Sequence, residues 1–127
     1  YNKTINIEGQ TMVLMANRYI LPAAVEYQKR LAESLGAVKA AGGQCTEVKT
    51  LLDHFCDLTC ELRRKTEALS HQLDHAGEGN ADSHAKHFRD KVVPAMAALR
   101  EAGDRIEQLT PHELWPLPTY REMLFTR

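Results

Sequence analysis

Apolar residues recur every third or fourth position through three long stretches of the chain. In the first, Met12, Met15, Tyr19, Ala23, Leu31, Leu35 and Val38 repeat at this interval. Val48, Leu51, Phe55, Leu58, Leu62, Leu69 and Leu73 do so in the second, and Phe88, Val92, Ala95, Leu99, Ala102, Ile106 and Leu109 in the third. This spacing places each set on one face of a helix. It predicts helices over about 11–41, 46–76 and 82–109. Gly42-Gly43 and the Gly77–Asn80 segment end the first two, as glycine beyond the last periodic residue commonly does. Sustained two-residue alternation is confined to Thr4–Ile7, so no sheet is expected.

Each stretch holds about thirty residues, on the order of 45 Å at 1.5 Å per residue. Three matched helices with short breaks close a shared core as an antiparallel, up-down-up bundle. The expected fold is therefore all-α. Residues 1–10 form a lead-in, 11–109 the three-helix bundle, and 110–127 a short helical, Pro- and aromatic-rich C-terminal tail. Pro22 and Pro94 fall inside predicted helices, where each removes a backbone donor and crowds the preceding turn. Both lie about a dozen residues into a helix running the same way. A shared bend is expected there, with Thr66 of the middle helix or nearby water satisfying carbonyls freed at Arg18 and Asp90.

The tail differs in style. It holds the sole Trp and three of the five Pro residues, and no other stretch of the chain is so particular. Thr110-Pro111-His112-Glu113 has the form of a capping box with proline at the first helical position. Pro116 and Pro118 stop that turn, and Thr119-Tyr120-Arg121-Glu122 offers a second box opening a short helix to Phe125. Trp115, Pro116, Pro118, Tyr120 and Phe125 are the candidate docking residues, since bulky aromatics dominate such contacts. They seat either on the chain's own bundle, the favoured site, or against another domain.

Composition narrows the function. With 127 residues the chain forms one domain or part of one, and with 16 Lys+Arg against 17 Asp+Glu it offers no electrostatic case for nucleic acid. No apolar run approaches the ~20 residues that span a bilayer. Cys45, Cys56 and Cys60 lack a disulfide framework spacing and are expected as free thiols in a reducing cytoplasm, Cys56 and Cys60 buried beside the core. The first residue is Tyr rather than Met, which suggests a piece of something longer.

Candidate chemistry is sparse. His71 and His75, with His84 and His87 beyond the glycine turn, could gather at one end of the bundle as a zinc or nickel site beside Asp74. Solvated histidine at a helix end is the ordinary alternative and is preferred, so no metal ligand is assigned. His54 with Cys56 and Cys60 lacks the paired doublets of a zinc site. Arg63-Arg64-Lys65 is expected as a solvated face. No phosphate loop, Ser-His-Asp set or paired catalytic carboxylates stand out, so no catalytic or cofactor-binding residue is assigned.

The two ends together resemble the C-terminal region of type III glutamine synthetases. The residues that carry this are Asn6-Ile-Glu8, Thr11-Met-Val13 and Ile20-Leu-Pro-Ala23, with Trp115-Pro-Leu-Pro-Thr-Tyr120 and Met123-Leu-Phe125. The middle helices match only in pattern. The resemblance implies a non-catalytic helical domain that follows the catalytic domain of a large cytoplasmic enzyme, with a structural, assembly or regulatory role: packing on that domain, supporting subunit contacts or transmitting a regulatory signal. It implies a parent that joins ammonia to glutamate with ATP and a divalent metal, magnesium or manganese, and assembles as a dodecamer. The catalytic acids, nucleotide contacts and metal ligands of that family lie outside this segment. The alternative is a stand-alone helical module that binds a protein partner or a metal through its histidine end.

Overall fold

The helical stripe begins earlier than residue 11. Ile5 and Gly9 continue it backwards at four-residue spacing and are buried, so residues 2–10, expected as a lead-in, are the first turns of the helix. The computed structural model describes residues 2–118. They form α1 (Asn2–Met15), a π-helical turn (Ala16–Ile20), α2 (Leu21–Ala40), α3 (Thr46–Asp74), α4 (Ala81–His87), a second π-helical turn (Phe88–Val92), α5 (Val93–Leu109) and one 3₁₀ turn (His112–Leu114). Among the described residues the architecture is all-helical. α1 and α2 run on through the first π turn as one long helix, and α4 and α5 do so through the second.

The π turns answer the two prolines. Leu21 N–H reaches five residues back to Ala16 O, and Val93 N–H five back to Phe88 O. Proline follows immediately in both cases, so each ladder has widened by one residue just before the position that cannot donate. The expected role of Thr66 is not found. Its hydroxyl donates to Leu62 O of its own helix at 2.7 Å. Both π turns nevertheless meet this level of α3, since Ala16 and Val92 share a buried cluster with Leu62 and Leu69.

The first π turn also corrects the predicted stripe. One extra residue rotates everything beyond it, so Ile20 and Ala24 turn inward where Tyr19 and Ala23 were expected. Tyr19 is left 49% exposed. The middle helix keeps its predicted face: Phe55, Leu58, Leu62, Leu69 and Leu73 are buried, with Thr59 and Thr66 filling the gaps between them. Thr59 is accommodated as Thr66 is, by donating to the carbonyl four residues back, Phe55 O.

Contacts run in opposite senses along neighbouring helices. As the first long helix advances from Gly9 to Asn17 to Tyr27, its partners on α3 recede from Leu73 to Arg63 to Phe55. Between α3 and the third long helix, Gln72 meets His87 and Glu61 meets Arg105. Two buried clusters result. One joins Ile5, Ala16, Leu69 and Leu73 to Phe88 and Leu99; the other joins Ala24, Leu31 and Phe55 to Ile106, and Ile20 packs against both. At the first break Gly42 has φ +81°, a left-handed conformation that glycine adopts without strain, and Gly43 N–H bonds Val38 O at 2.9 Å. At the second, Asn80 caps α4 by accepting from Ser83 N–H at 2.9 Å.

Candidate functional site

The candidate docking tail leaves α5 at Thr110, which is buried. Its hydroxyl donates backwards to Ile106 O at 2.7 Å, and its N–H bonds the same carbonyl at 3.0 Å. Thr110 therefore closes α5 rather than capping a new helix, and the predicted capping box does not form. Pro111 instead begins a single 3₁₀ turn, closed by Leu114 N–H to Pro111 O and Trp115 N–H to His112 O. Glu113, expected as the box's carboxylate, reaches across to Arg30 of α2 at 3.2 Å.

This turn aims Trp115 at the bundle. The indole is half-buried against the cluster of Ala24, Leu31, Phe55 and Ile106. Its Nε1 is buried and meets no acceptor among the described residues. Trp115 and Leu117 also wall a cleft of about 340 Å³, completed by Met12, Met15, Ile20 and Leu99. Pro116 and Pro118 are exposed, and Pro118 lines the same cleft. Tyr120 and Phe125, with the second expected capping box, lie outside the described residues. The cleft is lined mainly by carbon and sulfur and offers apolar packing, with Arg100, Asp104 and Glu107 also among its lining residues.

The histidines occupy the end where α3 turns into α4. The His71 and His75 rings meet edge to face at 4.4 Å. His75 Nδ1 lies 2.9 Å from Glu78, and this imidazole holds the Glu78 carboxyl below its usual range. His84 Nε2 bonds Gly77 O at 3.0 Å and His87 Nε2 bonds Gln72 O at 2.7 Å. An Nε2 paired with a carbonyl must carry a proton, so these nitrogens donate and are not presented to a cation. Among the described residues no three His, Cys, Asp or Glu side chains are placed to hold a metal ion. His75, His84 and His87 thus bond groups of the α3–α4 turn, while His71 packs edge to face on His75.

The thiols are less buried than expected. Cys60 is exposed, and Cys45 and Cys56 are half-buried. The inward position at this level belongs to Thr59. Burial pushes the Cys56 thiol up, and the nearby Asp53 carboxylate adds to the effect. Neither influence favours the thiolate that nucleophilic chemistry needs. Arg63 spans Asn17 and Glu67, at 2.8 and 2.9 Å, within a solvated face.

Sequence reasoning missed one surface. Ile7, Leu14, Tyr19 and Val25 all lie exposed on the first long helix, whereas the outward faces of α3 and α5 are largely charged or polar. The signal was present as a second apolar stripe, Ile7 and Leu14, out of phase with the buried one.

Comparison with known proteins places these features. A family model described as the glutamine synthetase C-terminal domain matches residues 1–39. A glutamine synthetase of Bacteroides fragilis is 29% identical over 135 residues, covering 100% of this chain. A type-3 glutamine synthetase of Dictyostelium discoideum is 27% identical over 137 residues, again covering 100% of this chain. The chain is thus similar to glutamine synthetases along its whole length, and over residues 1–39 to their C-terminal domain. A glutamine synthetase of Butyrivibrio fibrisolvens is 29% identical over 129 residues and covers 99% of it. The chain spans 18% of the length of each of these relatives. The segment matched by the family model lies almost entirely on α1, the first π turn and α2.

Proposed function

We propose that this chain is the non-catalytic C-terminal domain of a type III glutamine synthetase, with a structural and assembly role. The observation that carries the reading is end-to-end similarity to a fifth of several named glutamine synthetases. The parent reaction joins ammonia to glutamate at the expense of ATP. Divalent magnesium or manganese, the nucleotide and the catalytic acids belong to the remainder of the parent. The parent is a cytoplasmic dodecamer, and this domain packs against the catalytic domain of the same polypeptide.

The antiparallel, up-down-up arrangement suits such a role. The receding order of contacts between successive helices supports it, and it yields a stiff rod on the order of 45 Å long for a thirty-residue helix. The tail is proposed to act as an internal clasp. Trp115 packs on the second cluster while Glu113 pairs with Arg30, so the end of the bundle is fastened before any partner is met.

The test compares the full parent, the parent truncated before Tyr1, and this chain alone. Glutamine formation from glutamate, ammonia and ATP is measured alongside the assembly state by sedimentation. The full parent is expected to be active and assembled, the truncated one to lose assembly, and the isolated chain to make no glutamine. Glutamine formation by the isolated chain, or unchanged assembly of the truncated parent, overturns the reading.

A further inference from the structure

We infer that the outward face of the first long helix, from Ile7 to Val25, is the surface on which this domain seats against the rest of its own polypeptide. The inference rests on the proposed function above and adds the surface to it. Among the described residues five large hydrophobics are exposed, and four of them, Ile7 at 58%, Leu14 at 50%, Tyr19 at 49% and Val25 at 51%, lie on this helix. Ile7, Thr11 and Leu14 follow one another at three- and four-residue steps and form one stripe. Beyond the π turn, which rotates the later residues, Tyr19 and Val25 are exposed on the same helix. Thr11 adds little polarity to the stripe, because its hydroxyl is already spent on Ile7 O at 2.9 Å.

The apolar face is bounded. Beyond Val25 the exposed side of the same helix becomes Glu26, Lys29, Arg30 and Glu33, with Lys29 and Glu33 paired across one turn. Large apolar side chains exposed together on one helix, interrupted by Arg18 and followed by charged residues, mark an interaction surface rather than scattered exposed residues. Its extent is on the order of 27 Å at 1.5 Å per residue, long enough for a domain interface.

Two observations select the occupant. The chain is 18% of the length of the relatives that it matches end to end, so most of the polypeptide that it belongs with is other surface. The family model matches residues 1–39, the helix bearing this face, and leaves α3 and α5 unmatched. The tail, by contrast, has Trp115 turned to its own bundle.

The experiment is hydroxyl-radical footprinting of the intact, full-length parent enzyme, with glutamine formation measured on the same preparation. Ile7, Leu14 and Tyr19 are expected to escape labelling while Val93, exposed on another helix at 38%, is labelled. Leu14→Asp is expected to bring Tyr19 up to the labelling of Val93, while Val93→Asp leaves Tyr19 protected. Wild-type footprints decide the matter should Leu14→Asp lose helix content. Labelling of the stripe equal to that of Val93 in active enzyme overturns the inference and leaves the proposed function standing. Protection that vanishes when the enzyme is diluted to single subunits also overturns it, since the occupant is then a second copy. A parent that makes no glutamine sinks the earlier reading instead.

Discussion

At the scale of single residues, Trp115 shows what the tail contributes. The indole covers the second cluster while only half-buried, so Trp115→Ala should cost about 2–3 kcal/mol, below the ~3–5 kcal/mol of a fully buried tryptophan. Trp115→Phe should cost clearly less than Trp115→Ala, because it retains most of the ring and removes an N–H unpaired among the described residues. Urea unfolding of the three proteins checks the order; equal losses for both substitutions would show that the N–H matters. Glu78 makes a pH-dependent contribution. Its hydrogen bond to His75 lowers its carboxyl pKa in the folded state, so the associated stability is present above the unfolded value of 4.5 and fades as pH falls through the lower folded value. The residue is fully exposed, so the effect is small. Carboxyl NMR titration should place Glu78 below 4.5 and return it towards that value in His75→Ala.

At the scale of elements, the first π turn is the feature that period counting could not reveal. Pro22 announced a disturbance, but a widened ladder rather than a simple kink absorbs it, and that one residue moves Ile20 inward and Tyr19 outward. The α3 stripe was legible because it is uninterrupted by proline and its threonines satisfy themselves on their own helix. The tail's capping box misled for a related reason: Thr110 had two carbonyl–amide neighbourhoods within reach, and the end of α5 won. A deletion series tests the π turn. Removing exposed Arg18 should restore a regular α turn with both flanking faces in register, leaving Pro22 to cost about 3 kcal/mol. Adding Pro22→Ala should recover most of that loss. Removing exposed Glu26 from the regular part of α2 instead rotates Leu31 by about 100° away from the core, and Pro22→Ala should not rescue it. Thermal unfolding followed by circular dichroism separates the cases; equal rescue of both deletions sinks the argument.

Close packing within the first helix gives a further contrast. A Cβ built on Gly9 would lie 2.9 Å from Leu73 Cδ2, whereas one on Gly36 meets nothing within 4 Å. Gly36→Ala should therefore stabilise by about 0.5–1 kcal/mol through helix propensity alone. At Gly9 the same gain is opposed by overpacking of about 1–3 kcal/mol against a side chain that can only partly yield. Denaturant midpoints should move in opposite directions.

At the scale of the whole molecule, the question is whether the two buried clusters behave as one. They share α3 as a common wall, and Ile20 touches both where the first π turn delivers it. Ile20→Ala should cost about 2 kcal/mol, the low end for truncating a core aliphatic, because the side chain is only partly buried. Its position matters more than its size. If Ile20 couples the clusters, native-state hydrogen exchange should show amides near Leu69 and near Phe55 opening together in the wild type. In Ile20→Ala the two sets should separate, with the Phe55 cluster opening at lower free energy because it draws on fewer buried residues. Phe55→Ala should weaken its own cluster strongly and leave the amides around Leu69 and Val92 nearly unchanged. A uniform drop at every amide in Ile20→Ala would mean that α3 alone transmits cooperativity.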